Sequence, residues 1–155
     1  MAEDYTQSAA EETSGIRTAP PFILAGLSGG HGVFHWFSQS FFVMLPDVVA
    51  TFGLSGFQVG AISTTREVVS GILAFPDGVV PDMLQRHWGL VLACCMALFG
   101  LGWLIMGIAP AYPVLLFGMG IVAAAASMWH LPATAALSGR FVHRRGSALS
   151  IHGVG

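Results

Sequence analysis

The residues of this chain best suited to chemistry include histidines set inside apolar segments. His31 and His35 are four residues apart, so both rings would lie on one face of a helix. That spacing can hold a metal ion, but without a nearby carboxylate it is a weak metal signal, and we expect no metal or other cofactor. Two other interpretations are open. The two histidines either line a cavity or a contact between helices, or they are protonatable residues of a transport pathway. For His130, a lone histidine near Pro132, a hydrogen bond in helix packing is the simplest role.

Arg66 and Glu67 are adjacent charged residues in the middle of another apolar segment. An arginine at mid-membrane costs about 2.5–3.5 kcal/mol on insertion scales, so it needs a partner. Neighbouring residues of a helix point about 100° apart, so each of the two can pair with a different helix instead of with the other. They either form a buried polar contact that joins helices or coordinate a substrate or a proton, and the sequence leaves both interpretations open.

The composition indicates that these residues lie in a membrane protein. The chain has 155 residues, of which 54% are hydrophobic and 9% are charged, whereas soluble domains carry about 25% charged residues. It has no lysine, and no Asp, Glu, Lys or Arg lies between Arg86 and Arg140. That gap is long enough for two bilayer crossings of about 20 residues each. We therefore expect an all-α transmembrane helix bundle whose partner is the lipid bilayer, with no nucleic-acid partner.

The apolar segments predict four complete helices and the start of a fifth. Prolines and glycines punctuate the turns between them. Residues 1–20 contain four acidic side chains and lack the features of a signal peptide. They are expected to be a disordered cytoplasmic tail. The fifth segment is too short to span a membrane, so the chain is expected to be a fragment. The predicted helices cover residues 22–50, 57–80, 88–108 and 114–138, and the fifth begins at 146.

Polar side chains form a stripe along helices 1, 2 and 4 and are nearly absent from helix 3. Helices 1, 2 and 4 are therefore expected to face protein or a water-filled cavity, while helix 3 faces lipid. The candidates for a substrate or proton pathway are His31, His35, Gln39, Arg66, Glu67 and His130. The stripes are Ser28, His31, His35, Ser38 and Gln39 in helix 1, Ser63, Arg66, Glu67, Ser70 and Asp77 in helix 2, and Ser127, His130, Thr134 and Ser138 in helix 4.

Glycines of helices 3 and 4 are predicted to allow close helix packing. The positions are Gly100, Gly102, Gly107, Gly118 and Gly120.

The arginines outside the apolar segments predict the orientation of the chain. Cytoplasmic loops of membrane proteins retain an excess of arginine and lysine. All five such arginines fall on one side of the predicted bundle, and the turns after helices 1 and 3 contain none. We therefore expect a multi-pass protein of the cell (inner) membrane with a cytoplasmic N-terminus. The five residues are Arg17, Arg86, Arg140, Arg144 and Arg145.

The loop after helix 2 resembles a motif of the major facilitator superfamily. In that family a glycine is followed four residues later by aspartate and then by basic residues, and Gly78, Asp82 and Arg86 match this pattern. Met83 and Gln85 depart from it. The resemblance implies a loop that packs charges at the cytoplasmic face and takes part in gating.

Other segments look like the fosmidomycin-resistance-like branch of this superfamily, which includes efflux transporters. They are Leu45-Pro46, Gly53-Leu54-Ser55, Gln58-Val59-Gly60, the run from Ser127 to Ala133 and the run from Arg144 to Ser150. The resemblance covers about residues 22–155. It implies a complete protein of two six-helix halves around a central site, of which this chain is most of the first half.

These observations predict a secondary active transporter rather than an enzyme. It would move a small-molecule substrate by alternating access, with protons as the coupling ion and drug or metabolite efflux as the direction. The alternative is a membrane redox subunit with His31, His35 or His130 as haem ligands, of which His35 and His130 could lie opposed on facing helices. That alternative leaves the Asp82 and Arg86 loop without a role.

Overall fold

The computed structural model describes residues 19–83 and 87–154, and side chains are described for 19–74 and 87–154. The described residues form a bundle of α-helices. The first 18 residues and Arg86 lie outside the described part, and for Gly78 and Asp82 only the helical backbone is described. The helices are α1 (Pro20–Phe52), α2 (Gly56–Met83), α3 (Trp88–Gly107), α4 (Tyr112–Arg140) and α5 (Arg145–Val154). The all-α fold predicted from the sequence is confirmed.

The turn between α1 and α2 is specified by local sequence. Gly53 ends α1 in the left-handed conformation, with φ of 60°, and its amide donates to the carbonyl of Val49. Only glycine adopts that conformation without a steric cost. Ser55 then caps α2 by a reciprocal arrangement in which the Gln58 Oε1 accepts the Ser55 amide at 2.9 Å and the Ser55 Oγ accepts the Gln58 amide at 3.4 Å.

The end of α2 differs from the sequence-based expectation. The prediction ended this helix at Val80 and assigned Asp82 to a loop, whereas α2 continues to Met83. Proline disfavours the helical conformation in the residue before it and removes one hydrogen bond, which is why an end was expected at Pro81. Within a membrane bundle, neighbouring helices and side chains can satisfy the backbone groups that a proline frees.

Helix α4 lies at the centre of the described bundle and packs against all four other helices. Its closest neighbour is α3, and two glycines allow this approach. A Cβ placed on Gly118 would come within 2.6 Å of the Met106 Cγ, and one on Gly102 within 2.8 Å of the Val122 Cγ2. Both predicted close-packing positions are confirmed.

Three other glycines predicted at this interface are not close-packing positions. The three positions are Gly100, Gly107 and Gly120. A Cβ added at any of them meets nothing within 4 Å, because that Cβ would point away from the facing helix.

Aromatic contacts join α1 to α3 and α4. The ring centroid of Phe34 lies 4.2 Å from that of Phe99 and 4.9 Å from that of Trp129. Trp129 is only 2% exposed. It fits against α1 because a Cβ on Gly30 would lie 2.9 Å from the Trp129 Cζ2. This packing sets the separation of α1 and α4 beside the polar stripes.

Two of the described helices, α3 and α4, are long and apolar enough by length and composition alone to cross a membrane. Helices α1 and α2 have 33 and 28 residues, so they have the length but carry the polar stripes. Large apolar side chains also cover the outside of the bundle, as Trp36 at 75% and Val43 at 80% exposure illustrate. Such a surface suits contact with lipid or with further protein.

Candidate functional site

A cavity of about 340 Å³ lies between α1, α2 and α4 and reaches Trp103 of α3. We call it the polar cavity, because it collects members of all three polar stripes. Aromatic rings form part of its wall: Phe41, Phe42 and Trp103. Its polar lining consists of Ser38, Ser63, Arg66, Ser70, Ser127 and His130.

Arg66 supplies the positive charge of the polar cavity. It is half-buried, and its Cζ atom lies 5.9 Å from the centroid of the Phe42 ring, within cation–π distance. It lies ten residues after the start of α2, about 15 Å along the helix axis and close to the middle of a bilayer core. No acidic side chain is among the described residues that line the cavity. The guanidinium therefore has no carboxylate partner on the described wall of the cavity.

Glu67 and Gln39 lie elsewhere. Both are exposed, and neither is among the residues that line the polar cavity. Arg66 and Glu67 thus diverge as adjacent helical residues must, and the described side chains show no ion pair between them. Of the predicted pathway residues, the cavity itself brings together Arg66 and His130.

The remaining predicted histidines meet His130 beside the cavity. The Nε2 atoms of His31 and His35 lie 3.1 Å apart, and the ring of His31 lies 5.2 Å from that of His130, centroid to centroid. One nitrogen from each of these three rings can be chosen so that all lie within 4.8 Å of one another. The sequence indicated the pair on α1, and the fold adds the ring from α4.

His152 is a fourth member of this group that the sequence analysis did not identify. It lies in α5, which packs on α1, and its ring stacks on that of His31 at 4.5 Å with an interplanar angle of 30°. It is only 3% exposed. No spacing in the sequence links His152 to the other histidines, because the contact depends on how α5 returns to α1. We refer to His31, His35, His130 and His152 as the histidine cluster.

The geometry of the cluster argues against the haem alternative. The rings of His35 and His130 lie 6.2 Å apart, centroid to centroid, a spacing that two axial ligands of one iron could adopt. The ring of His31, however, contacts both, at 4.5 Å and 5.2 Å. It occupies the place through which the macrocycle would have to pass.

The family comparison agrees with the helices and their polar faces. The model of the Major Facilitator Superfamily matches residues 27–155 of the chain. The chain belongs to this superfamily. No curated protein and no solved structure shows a significant match to it.

Membership identifies the chain as a membrane-transporter protein of a family whose members bind small-molecule substrates. It also explains why a polar cavity is enclosed by helices whose outer surfaces are apolar, since transporters in general place substrate sites near the bilayer midplane. The redox alternative is not favoured.

Proposed function

We propose that the complete protein is a secondary active transporter of the fosmidomycin-resistance-like branch that exports a small organic anion by alternating access in exchange for protons. The observation that carries the proposal is the position of Arg66 in the polar cavity. A charged guanidinium at this depth, with no carboxylate on the described cavity wall, is suited to a carboxylate, phosphonate or sulfonate group, which it can bind through two parallel hydrogen bonds.

The rest of the lining supports an anion with an apolar or aromatic body. Phe41, Phe42 and Trp103 offer ring surfaces, and the Trp103 Nε1 is buried without a hydrogen-bond partner among the described residues. A buried donor of this kind favours a ligand that supplies an acceptor. Serine hydroxyls on α1, α2 and α4 also line the cavity and can form further hydrogen bonds with the same ligand.

Alternating access follows from the architecture that the family resemblance implies. The polar cavity would lie at the interface with a second half of the complete protein, and the two halves would rock around it. His130, His31 and His35 belong to the proposed pathway with Arg66, because they lie in or beside the cavity. Gln39 is proposed as a pathway residue from its place in the polar stripe of α1, although it is exposed outside the lining.

Glu67 is the residue proposed to carry the coupling proton. Its carboxylate is exposed in the described bundle yet lies near mid-bilayer, where an ionisable group facing lipid is strongly disfavoured. It must therefore face protein or water in the complete transporter. Arg66, one residue away, is the nearest charged group along α2. A carboxylate in that position can load and release a proton as the two halves move.

The remaining parts of the proposal concern orientation and gating. We propose that residues 1–20 and the two arginine-containing connections, after α2 and after α4, face the cytoplasm. Gly78, Asp82 and Arg86 would form the cytoplasmic gate, as the motif implies. Asp82→Asn in the full-length protein is then expected to insert into the membrane normally and to transport at least tenfold more slowly. Transport at the wild-type rate would remove the gate assignment.

The anion assignment is tested by thermal unfolding of the full-length protein in detergent. Small aromatic carboxylates, phosphonates and sulfonates are compared with the neutral amides of the same ring systems. A ligand present at 100 times its Kd should stabilise the folded state by about 2.7 kcal/mol. We expect anions to raise Tm and the amides to leave it unchanged.

The matched variants are Arg66→Gln in the cavity and Arg144→Gln, which is exposed in the connection between α4 and α5. Arg66→Gln should abolish the anion response, and Arg144→Gln should retain it. If neutral amides stabilise the protein as well as anions do, or if Arg144→Gln also abolishes the response, Arg66 does not select an anion.

A further inference from the structure

We propose that the histidine cluster is a binding site for one divalent first-row transition-metal ion, of which Zn²⁺ is the test case. Two helices supply the three ligands that lie close together, His31 and His35 from α1 and His130 from α4. His152 of α5 stacks on His31 beside them. The metal site adjoins the Arg66 anion site, with which it shares His130, and it does not depend on the proposed direction or coupling of transport.

The spacing of the nitrogens fits a metal site. Zinc binds histidine nitrogen at about 2.0–2.1 Å, so two ligands of a tetrahedral ion lie about 3.3 Å from each other. The Nε2 atoms of His31 and His35 are 3.1 Å apart, close to that value. Nitrogens of these two rings and of His130 all fall within 4.8 Å of one another, so small side-chain adjustments would bring three ligands to one ion.

His130 is held in the state that a ligand needs. Its Nδ1 donates to the carbonyl of Ala126 in the preceding turn of α4. This hydrogen bond places the ring proton on Nδ1 and leaves the lone pair of Nε2 free. Proteins usually orient a metal-binding histidine by a hydrogen bond of this kind, which the ring nitrogen that does not bind the metal donates.

His152 gives an independent indication that a ligand is missing from the cluster. It is 97% buried (3% exposed), and neither ring nitrogen makes a hydrogen bond of regular geometry among the described residues. The same holds for the Nδ1 of His31 and the Oγ of Ser28, one turn earlier on α1. Backbone atoms of Leu27 and His152 lie near these rings without completing such bonds. Buried polar atoms are normally satisfied, so these unpaired atoms indicate that the surroundings of the cluster are open to a further polar partner.

The donor set determines the class of ion. Imidazole nitrogen suits Zn²⁺, Ni²⁺, Co²⁺ and Cu²⁺, whereas Mg²⁺ and Ca²⁺ prefer oxygen ligands. The candidate ligands are all histidines, and the described lining of the adjacent polar cavity contains no acidic side chain, so the site offers neutral ligands only. We therefore expect selection of a borderline transition metal over Mg²⁺ or Ca²⁺. An ion bound here would join α1 to α4, next to α5.

The test is Zn²⁺ binding to the full-length protein in detergent, after removal of any polyhistidine tag and treatment with a chelator. Calorimetry and elemental analysis should show one Zn²⁺ per chain, and a Co²⁺ titration should give the absorption bands of a tetrahedral nitrogen site. Mg²⁺ in large excess should not compete. Absence of saturable Zn²⁺ binding would overturn the proposal and leave a cluster joined by hydrogen bonds alone.

Matched histidine variants locate the ion. His35→Ala and His130→Ala should each weaken Zn²⁺ binding at least tenfold. Because His35 is exposed, its replacement removes a ligand without opening a cavity in the core. His143→Ala, at an exposed position between α4 and α5, should bind Zn²⁺ as the wild type does. Loss in His143→Ala, or full binding in both cluster variants, would place the ion elsewhere and contradict the proposal.

Discussion

At the scale of single residues, the sequence leaves two interpretations of the adjacent residues Arg66 and Glu67, and the structure favours one of them. The sequence allows a buried ion pair or two separate roles. In the described bundle Arg66 faces the polar cavity and Glu67 is exposed outside its lining. The two side chains therefore lie in different places, and removing one does not leave the other as an unpaired partner.

This separation predicts the stability of variants at the two positions. Glu67→Gln is expected to change the free energy of unfolding by no more than about 0.5 kcal/mol, as for a replacement without a buried partner. Arg66→Met should be similarly tolerated, because the methionine replaces the aliphatic part of arginine against Phe42. Thermal unfolding of the full-length variants in detergent measures both.

A mutual ion pair would give the opposite pattern. Each single replacement would then destabilise the protein by about 3–5 kcal/mol, and replacing both residues together with apolar ones would restore stability. Rescue of this kind would show that the pair is structural and would remove both residues from the transport pathway.

At the scale of the helices, the α3–α4 interface depends on two glycines rather than on every glycine in the two segments. Sequence composition predicted five close-packing positions, but only Gly102 and Gly118 meet the facing helix at contact distance. Which glycine faces a neighbour depends on the rotation of each helix about its axis. An apolar helix such as α3 has no polar stripe from which that rotation could be predicted.

Two alanine replacements on α4 test this interface. In Gly118→Ala the new Cβ would lie 2.6 Å from the Met106 Cγ and 3.0 Å from the Gly102 carbonyl oxygen, so α3 and α4 must separate. The expected cost is about 1–3 kcal/mol. In Gly120→Ala the new Cβ meets nothing within 4 Å, so stability should be unchanged or slightly higher. Equal Tm values for the two variants would contradict the packing described here.

At the scale of the whole molecule, the fold class and the polar faces could be predicted from the sequence, and the histidine cluster only in part. Periodicity placed Ser63, Arg66 and Ser70 on one face because those positions follow the helical repeat, and all three line the cavity. Contacts between helices carry no such repeat. His152 joins His31 through the return of α5 to α1, which local sequence does not encode.

The orientation of the molecule remains a prediction from its arginines, and thiol labelling tests it. In a background with Cys94 and Cys95 replaced, Ala111→Cys and His143→Cys each add one exposed thiol to a connection between helices. An impermeant reagent added to intact cells should label Ala111→Cys immediately and His143→Cys only after permeabilisation. The reverse pattern would invert the topology.

The central claim is that anion movement through the polar cavity is coupled to protons at Glu67, and proton flux in proteoliposomes tests it most directly. The full-length protein is reconstituted with a trapped pH-sensitive dye, the membrane potential is clamped, and an anion that raises Tm is supplied as a gradient. We predict that the wild type changes the internal pH as the anion moves. Glu67→Gln should exchange labelled anion at a comparable rate without changing that pH. Wild-type anion transport with no proton movement, or unchanged proton movement in Glu67→Gln, would contradict the account.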